Sequence, residues 1–338
     1  MDTLHTSQDA RRNLLRLLAA SAASFGIFSP LALIPPAQAA TKNVAEEPLQ
    51  QLRIGYQKSA VNLVIAKQLG WLEKRFPGTK LSWLEFPAGP QLLEALSAGS
   101  LEFGLTGDSP PVFAQAAGKD LVYVGAEPPK PESSAILTQA DSALRTLADL
   151  KGRKVALQKG SSAHYLLLRA VEKAGLQWDQ IQPIYLSPAD ARAAFERKSV
   201  DAWAIWDPFY AATELAVQPR VLSNGRGLSN NNSFYLASKA FATQHGPAIA
   251  VLFEELTRAD RLAQDDRKQA IQLISDFSGL DAGVVSLFLT RRPRSPVAPL
   301  ASQTVADQQR VAQAFFKSGL IPKPVTVADA VWRAEPRA

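Results

Sequence analysis

One pattern constrains this chain more than any other. From Leu52 onward, short apolar runs alternate with stretches whose apolar residues recur at helical spacing. The first series reads "LRIGY", "VNLVIAKQLGWLEKRF", "LSWLEF", "PQLLEALSAG", "LEFGLTG", "PPVFAQAAG" and "LVYVGAE". Parallel strands need a crossover between them, and a helix is the usual one. The alternation therefore predicts an α/β fold, a largely parallel sheet with helices on both faces. Such sheets bind ligands beyond the C-terminal ends of their strands. A second series, from about Ser133 to Gly227, uses the same grammar: "KVALQKG", "SSAHYLLLRAVEKAGL", "IQPIYLS", "PADARAAFERKS", "VDAWAIW" and "PFYAATELAV".

The two series match in detail. Gln57-Lys58 follows a strand and precedes a helix, and so does Gln158-Lys159. Ser100-Leu101-Glu102 opens a strand that ends at Asp108, with Pro110 soon after. Ser199-Val200-Asp201 opens one that ends at Asp207, with Pro208 next and with the same spacing. Two similar lobes with ligand-facing turns at matching places are predicted. "EPPKPES", Glu127 to Ser133, is Pro-rich and polar, as a linker should be. "NGRGLSNNNS", Asn224 to Ser233, is a second break, after which "FYLAS" reads as a strand returning to the first lobe. The expected division is residues 40–130 with 231–338 in lobe 1 and 131–230 in lobe 2. Two doubly wound sheets joined by two crossings describe a hinged clamp with a cleft between its halves. The remainder from about Lys239 reads as mostly helical, with a loop from Thr290 to Pro299.

Residues 1–39 read as a secretory signal peptide. Arg11, Arg12 and Arg16 precede an apolar stretch from Leu14 to Ile34, and Ala37-Gln38-Ala39 gives a small-x-small cleavage pattern. Cleavage near Ala39/Ala40 is expected, with release into a periplasm. Arg11-Arg12 with Leu14-Leu15 loosely resembles a twin-arginine signal, and an ordinary secretory signal fits as well. The chain has no cysteine, which excludes disulfides, thiolate metal sites and a lipid-bearing N-terminal Cys. Its histidines, His5, His164 and His245, have no metal-ligand spacing. The formal charge is +6, but Lys and Arg are scattered rather than clustered, so nucleic acid is not an expected partner. No metal, no cofactor and a monomeric state are expected.

The turn "QKGSS" puts Gly160, Ser161 and Ser162 where a strand becomes a helix. A helix N-terminus carries unpaired N–H groups and about half a positive charge. Such a turn can seat an anion, with Gly160 letting the backbone approach and the serines donating hydroxyls. A plain serine N-cap is the alternative. An aspartate beside an anion would repel it. Asp108 and Asp207 are therefore expected to cap the helices that follow them, leaving contact to Ser109 and nearby N–H groups; direct recognition of a ligand amine by either is the alternative. Trp206 stands at the cleft mouth, where an aromatic can wall an organic group, while Trp203 is expected in the core. His164, one turn into its helix, reads as a surface or supporting residue.

"LRIGYQK", "EFPAGPQLLEAL", "GLTGDSPPVFAQAAG", "LVYVGAEPPKP", "LKGRKVALQKGSSAH", "LSPADARAAF" and "VDAWAIWDPF" together closely resemble the periplasmic aliphatic-sulfonate-binding proteins of sulfonate ABC transporters. They belong to a wider family that also takes taurine, nitrate and bicarbonate. The resemblance runs from Leu52 to about Trp332. It implies a type II periplasmic-binding fold, a sulfonate held between two lobes, and delivery to a membrane permease for sulfur uptake. The ligand-facing set it implies is Gln57, Gly107, Asp108, Ser109, Gly160, Ser161, Ser162, His164, Trp206 and Asp207. Asn232 stands where relatives carry glycine, which leaves a contact from Ser233 open. A sulfonate only accepts hydrogen bonds, so neutral donors suffice and no Arg or Lys need touch it. A receptor of this fold for taurine, nitrate or an aromatic sulfonate or sulfate ester is the nearest alternative. An enzyme like the pyrimidine synthases of the same fold class would be cytosolic and would consume a histidine, which the leader and the scarce histidines oppose.

Overall fold

The computed structural model describes residues 48–334; the expected signal peptide lies outside the described residues. The first series forms β1 (Gln51–Tyr56), α1 (Val61–Gln68), α2 (Trp71–Arg75), β2 (Lys80–Glu85), α3 (Gly89–Ser97), β3 (Phe103–Gly107), α4 (Ser109–Ala116) and β4 (Val122–Glu127). The second forms β5 (Ser134–Thr138), β6 (Lys154–Leu157), α5 (Ser162–Lys173), β7 (Gln182–Tyr185), α6 (Pro188–Glu196), β8 (Ala202–Trp206), α7 (Phe209–Val217) and β9 (Arg220–Asn224). The chain then returns through β10 (Ser233–Ala237) and continues as α8 (Lys239–Gln244), α9 (Gly246–Asp265), α10 (Arg267–Ser278), α11 (Ala282–Thr290) and α12 (Ser302–Lys317).

Each series makes a five-stranded sheet, in the orders β2-β1-β3-β10-β4 and β7-β6-β8-β5-β9. Position by position the sheets correspond, with β3 and β8 central. The sheets are mixed rather than wholly parallel. β10 runs antiparallel to β3 and β4, and β5 runs antiparallel to β8 and β9. The reason is the crossings. β5 directly follows the first crossing and β10 directly follows the second, so each enters its sheet from the cleft side. A chain entering from that side must run against strands whose C-terminal ends face the cleft.

Alternation along the strands builds a core on both faces. On β8, Ala202 and Ala204 pack beneath α5 with Leu166, Leu167 and Val171, while Trp203 and Ile205 pack on the other face with Phe195 of α6. On β10, Tyr235 and Ala237 join the cluster under α1 and α9, and Phe234 and Leu236 join the one under α3 and α12. Each fully buried Leu, Ile or Phe in these clusters stabilises by about 1.5–3 kcal/mol. Gly104 in β3 is obligatory on steric grounds: a Cβ there would lie 2.8 Å from Leu92 of α3 and 2.9 Å from the Gly55 carbonyl.

Both connections fall where the sequence breaks. Glu127 ends β4 and Ser134 begins β5; Asn224 ends β9 and Ser233 begins β10. The crossings are tied to each other. The Lys130 N–H donates to the Asn230 carbonyl at 2.9 Å, and the Asn231 side-chain amide donates to the Lys130 carbonyl at 3.2 Å. Among the described residues no helix is long and apolar enough to cross a membrane.

Candidate functional site

The C-terminal ends of β1, β3 and β8, and the turn after β6, converge on a cavity of about 50 Å³. Its donors come from every side. Gln57, just past β1, is buried and donates one amide hydrogen to the Leu105 carbonyl at 3.1 Å, leaving the second for the cavity. Ser161 and Ser162 arrive with the N-terminus of α5. Ser233, at the start of β10, accepts from Lys130 Nζ at 2.7 Å, so its own hydrogen is free to donate. Trp206 closes one wall with Phe288 of α11.

The serines at α5 do not act as caps. Ser161 occupies the N-cap position without a side-chain cap bond, and its hydroxyl donates to the Gln158 carbonyl at 2.8 Å. Ser162 reaches across the cleft to the other lobe. A Cβ added at Gly107 would lie 1.9 Å from its Oγ, so the glycine is what lets this serine sit against β3.

Asp108 departs from the capping role expected of it. It precedes α4, but its side chain makes no cap bond. Pro110 and Pro111 remove the N–H groups that a cap would bind. Its buried carboxylate instead accepts from hydroxyls: Ser109 at 2.9 Å, Ser229 at 3.4 Å, and Ser162 from the opposite lobe. Burial pushes its pKa up to about 6, against the pull of those hydrogen bonds. Asp207 does cap, accepting from the Ala211 N–H in the first turn of α7 at 3.0 Å. It also meets Arg291 Nη1 at 3.0 Å. Burial pushes Asp207 up to about 7, with Arg291 opposing. Arg291 follows α11 and belongs to the first lobe's helical layer; it also pairs with Glu214 and lies 3.9 Å from the Tyr210 ring centre. One arginine thus fastens the first lobe to three residues of α7 and the turn before it.

The cavity wall also contains two cations, which the neutral-donor reading did not name. Lys130, in the first crossing, donates to Glu127 at 3.1 Å as well as to Ser233. Arg292 donates to Asp260 at 2.7 Å and Asn62 at 2.9 Å and lies 3.7 Å from Glu127. Burial draws Lys130 below its ordinary pKa despite Glu127. Glu127, although buried, is held below its ordinary value by Lys130 and Arg292. Two cations and two carboxylates leave this wall near neutral.

Gln57, Gly107, Ser161, Ser162, Trp206 and Asp207 thus line the cavity together. Asp108 and Ser109 sit behind it, buried and bonded to each other. Gly160, at φ +73°, turns toward Phe113 and a neighbouring groove, as does Gln158. His164 is neither on the surface nor in the cavity. It is wholly buried among Phe113, Trp178, Tyr185 and Phe315. Its Nδ1 accepts the Gly160 N–H at 3.1 Å, which fixes the turn, and burial with nearby Lys159 lowers its pKa to about 3. It is a neutral prop for the turn at every physiological pH. Trp203 is fully buried, as expected.

Sequence reasoning missed Ser59, Lys130 and Arg292. Ser59 follows Gln57-Lys58 much as Ser161 follows Gln158-Lys159, so the internal repeat contained the signal. Lys130 sat inside a segment read only as a spacer. Arg292 comes from a loop far along the chain, and no local pattern marks it. Among the described residues no cluster of acidic and histidine side chains could hold a metal ion.

Residues 57–257 match the protein family described as NMT1/THI5 like. The chain is 50% identical over 289 residues to an aliphatic sulfonates-binding protein of Escherichia coli (strain K12), covering 86% of this chain and 91% of that one. Among solved structures, the alkanesulfonate-binding protein SsuA of Xanthomonas axonopodis pv. citri bound to MOPS superposes with a TM-score of 0.82 at 53% identity, covering 84% of this chain and 99% of that one. The periplasmic aliphatic sulphonate binding protein SsuA of E. coli gives 0.79 at 49% identity, over 86% and 95%.

Proposed function

The chain belongs to the family of aliphatic-sulfonate-binding proteins, within the NMT1/THI5-like proteins, and from that premise we propose that it is a periplasmic receptor. In this reading it captures a sulfonate between its lobes and hands it to an ABC permease, with no chemical conversion. The observation that carries the reading is the meeting of donors from both lobes around one small cavity: the second Gln57 amide hydrogen and the Ser233 hydroxyl from one, and the backbone N–H of Ser162 at the start of α5 from the other. A sulfonate has three acceptor oxygens, is ionised at any physiological pH and cannot donate, so its seat must be rich in donors. Hydrogen bonds to a charged group contribute roughly 1.5–3 kcal/mol each. Five or six give about 10 kcal/mol gross, and ordering and desolvation reduce that toward a micromolar constant of about 8 kcal/mol. The wall containing Lys130 and Arg292 is already compensated by Glu127 and Asp260. Retention then rests on directed hydrogen bonds more than on net charge, and opening the lobes suffices for release.

The lobes divide in this reading near residues 130 and 231, the places where the chain changes sheets. A ligand that contacts both bodies shifts their equilibrium toward the closed state. In this reading residues 1–39 are cleaved on export, and N-terminal sequencing of the exported protein should give a start at or near Ala40. The function is tested by calorimetry with methanesulfonate, taurine and nitrate. Micromolar binding of the sulfonates without nitrate binding supports the reading. Preference for nitrate, or turnover of a sulfonate in a product assay, would replace it.

A further inference from the structure

Beside the cavity runs a groove of about 410 Å³, between α3 and α4 of one lobe and the Gln158–Gly160 turn of the other. The two spaces share Pro110 in their walls and are lined by chain neighbours at two further points. Gly89 lines the cavity and Pro90 the groove; Ser161 lines the cavity and Gly160 the groove; Pro110 lines both. The groove floor is apolar, with Leu93, Pro110, Phe113 and Ala117. Phe113 is half-buried, held edge-on by Phe315 at a centroid distance of 4.8 Å. Glu94, Lys119 and Lys159 stand at the rim. The cavity, at about 50 Å³, holds a tetrahedral head group and little more. The organic part of a larger ligand must therefore leave it.

Resting on the sulfonate reading above, we propose that this groove is the second half of the ligand site. It takes the organic tail and favours uncharged aryl or cyclic tails over short alkyl ones. The shape and chemistry agree. An apolar floor with an aromatic ring gains from a flat apolar group laid against it. Two lysines against one glutamate at the rim discourage a tail bearing a full positive charge. Because the groove has one wall from each lobe, a tail in it also adds contact across the cleft. The opposite exit, past Trp206 and Phe288, is the competing path.

Calorimetry with methanesulfonate and naphthalene-2-sulfonate separates these paths. The native protein should bind the aryl probe at least ~10-fold more tightly, since one buried ring removes well over one methylene's worth of apolar surface. Ala117→Trp fills the groove from an exposed position outside the cavity. It should erase that preference while methanesulfonate binding stays within ~2-fold. A native protein that binds methanesulfonate as tightly as the aryl probe overturns the proposal. So does a preference that survives Ala117→Trp but disappears in Trp206→Ala, which would route the tail past Trp206. Binding of neither sulfonate by the native protein would instead remove the sulfonate reading, and the groove's role with it.

Discussion

The turn after β3 and the turn after β8 each place an aspartate directly behind a five-residue central strand and just ahead of proline. Their surroundings nevertheless differ. Among the described residues Asp108 has no cation within hydrogen-bonding reach, and it is ringed by three serine hydroxyls, one of them Ser162 from the facing lobe. Asp207 is ion-paired by Arg291, also from the facing lobe, and caps α7. The strand pattern determines where each aspartate stands, and the opposite lobe determines what it meets. Both carboxylates are therefore closure contacts, one through neutral hydrogen bonds and the other through charge. The comparison can be broken from either side.

The largest effect is expected on the hydroxyl side. Ser162→Asp puts a carboxylate beside buried Asp108 and beside the proposed sulfonate seat. Two like charges at contact distance in a desolvated site cost several kcal/mol. Sulfonate binding should fall below detection, and scattering should show the lobes held apart. Each lobe should stay folded by circular dichroism, because an acid in the first turn of α5 suits the helix dipole. Micromolar binding by the folded variant would place the anion elsewhere.

Arg291→Ala tests the charged side. It leaves Asp207 and Glu214 without their cation and removes the packing on Tyr210. Removing one partner of a buried pair destabilises by about 3–5 kcal/mol when the remaining charge stays buried. Here opening the cleft lets Asp207 reach water, so the expected loss is smaller, about tenfold in sulfonate affinity. Scattering of the ligand-free variant should report a larger radius of gyration than the native protein. An unchanged radius and unchanged affinity would make the Arg291 pairs mere surface decoration of a rigid contact.

The same contrast explains what the sequence could and could not reveal. The strands and helices were legible because period-two and helical spacing are local properties. "VDAWAIW" sorts its own side chains onto two faces, and Trp203 falls in the core as the alternation requires. The crossings were legible because Pro-rich and Asn-rich runs cannot continue a sheet. The antiparallel sense of β5 and β10 was not read, because it follows from which side of the cleft the chain enters and not from the residues of the strand. The site was half legible for a related reason. Gln57, Ser161, Ser162 and Trp206 lie at strand ends, which local pattern locates. Lys130, Ser233 and Arg292 reach the cavity only when distant segments pack together. His164 reads from sequence as a surface or supporting residue; it is the supporting one, and "SSAH" could not tell the two apart because the aromatic rings of Phe113, Tyr185 and Phe315 come from elsewhere.

The smallest expected effect is the response to pH, and it separates the two aspartates most directly. Burial raises both pKa values, to about 6 for Asp108 and about 7 for Asp207, from an ordinary 3.8. The closed form therefore holds each proton more tightly than an open form in which the carboxylate is solvated. Linkage then sets the sign. The contribution to closure is full below about pH 4 and is lost as pH rises through about 6 for Asp108 and about 7 for Asp207. Each carboxyl can supply at most ~1.4 kcal/mol per pH unit, and less where the open form still shields it. Ligand-free protein should thus become more compact in scattering as pH falls from about 8 to about 5. Asp207→Asn should remove the upper part of that profile and Asp108→Asn the lower part, since an amide keeps the shape without the titration. Because the closed form favours the neutral carboxyl at both sites, Asp207→Asn and Asp108→Asn should each leave the high-pH limit unchanged or more closed. A profile that is flat in the native protein, or that persists in the double variant, would mean that neither carboxylate gains water when the lobes part.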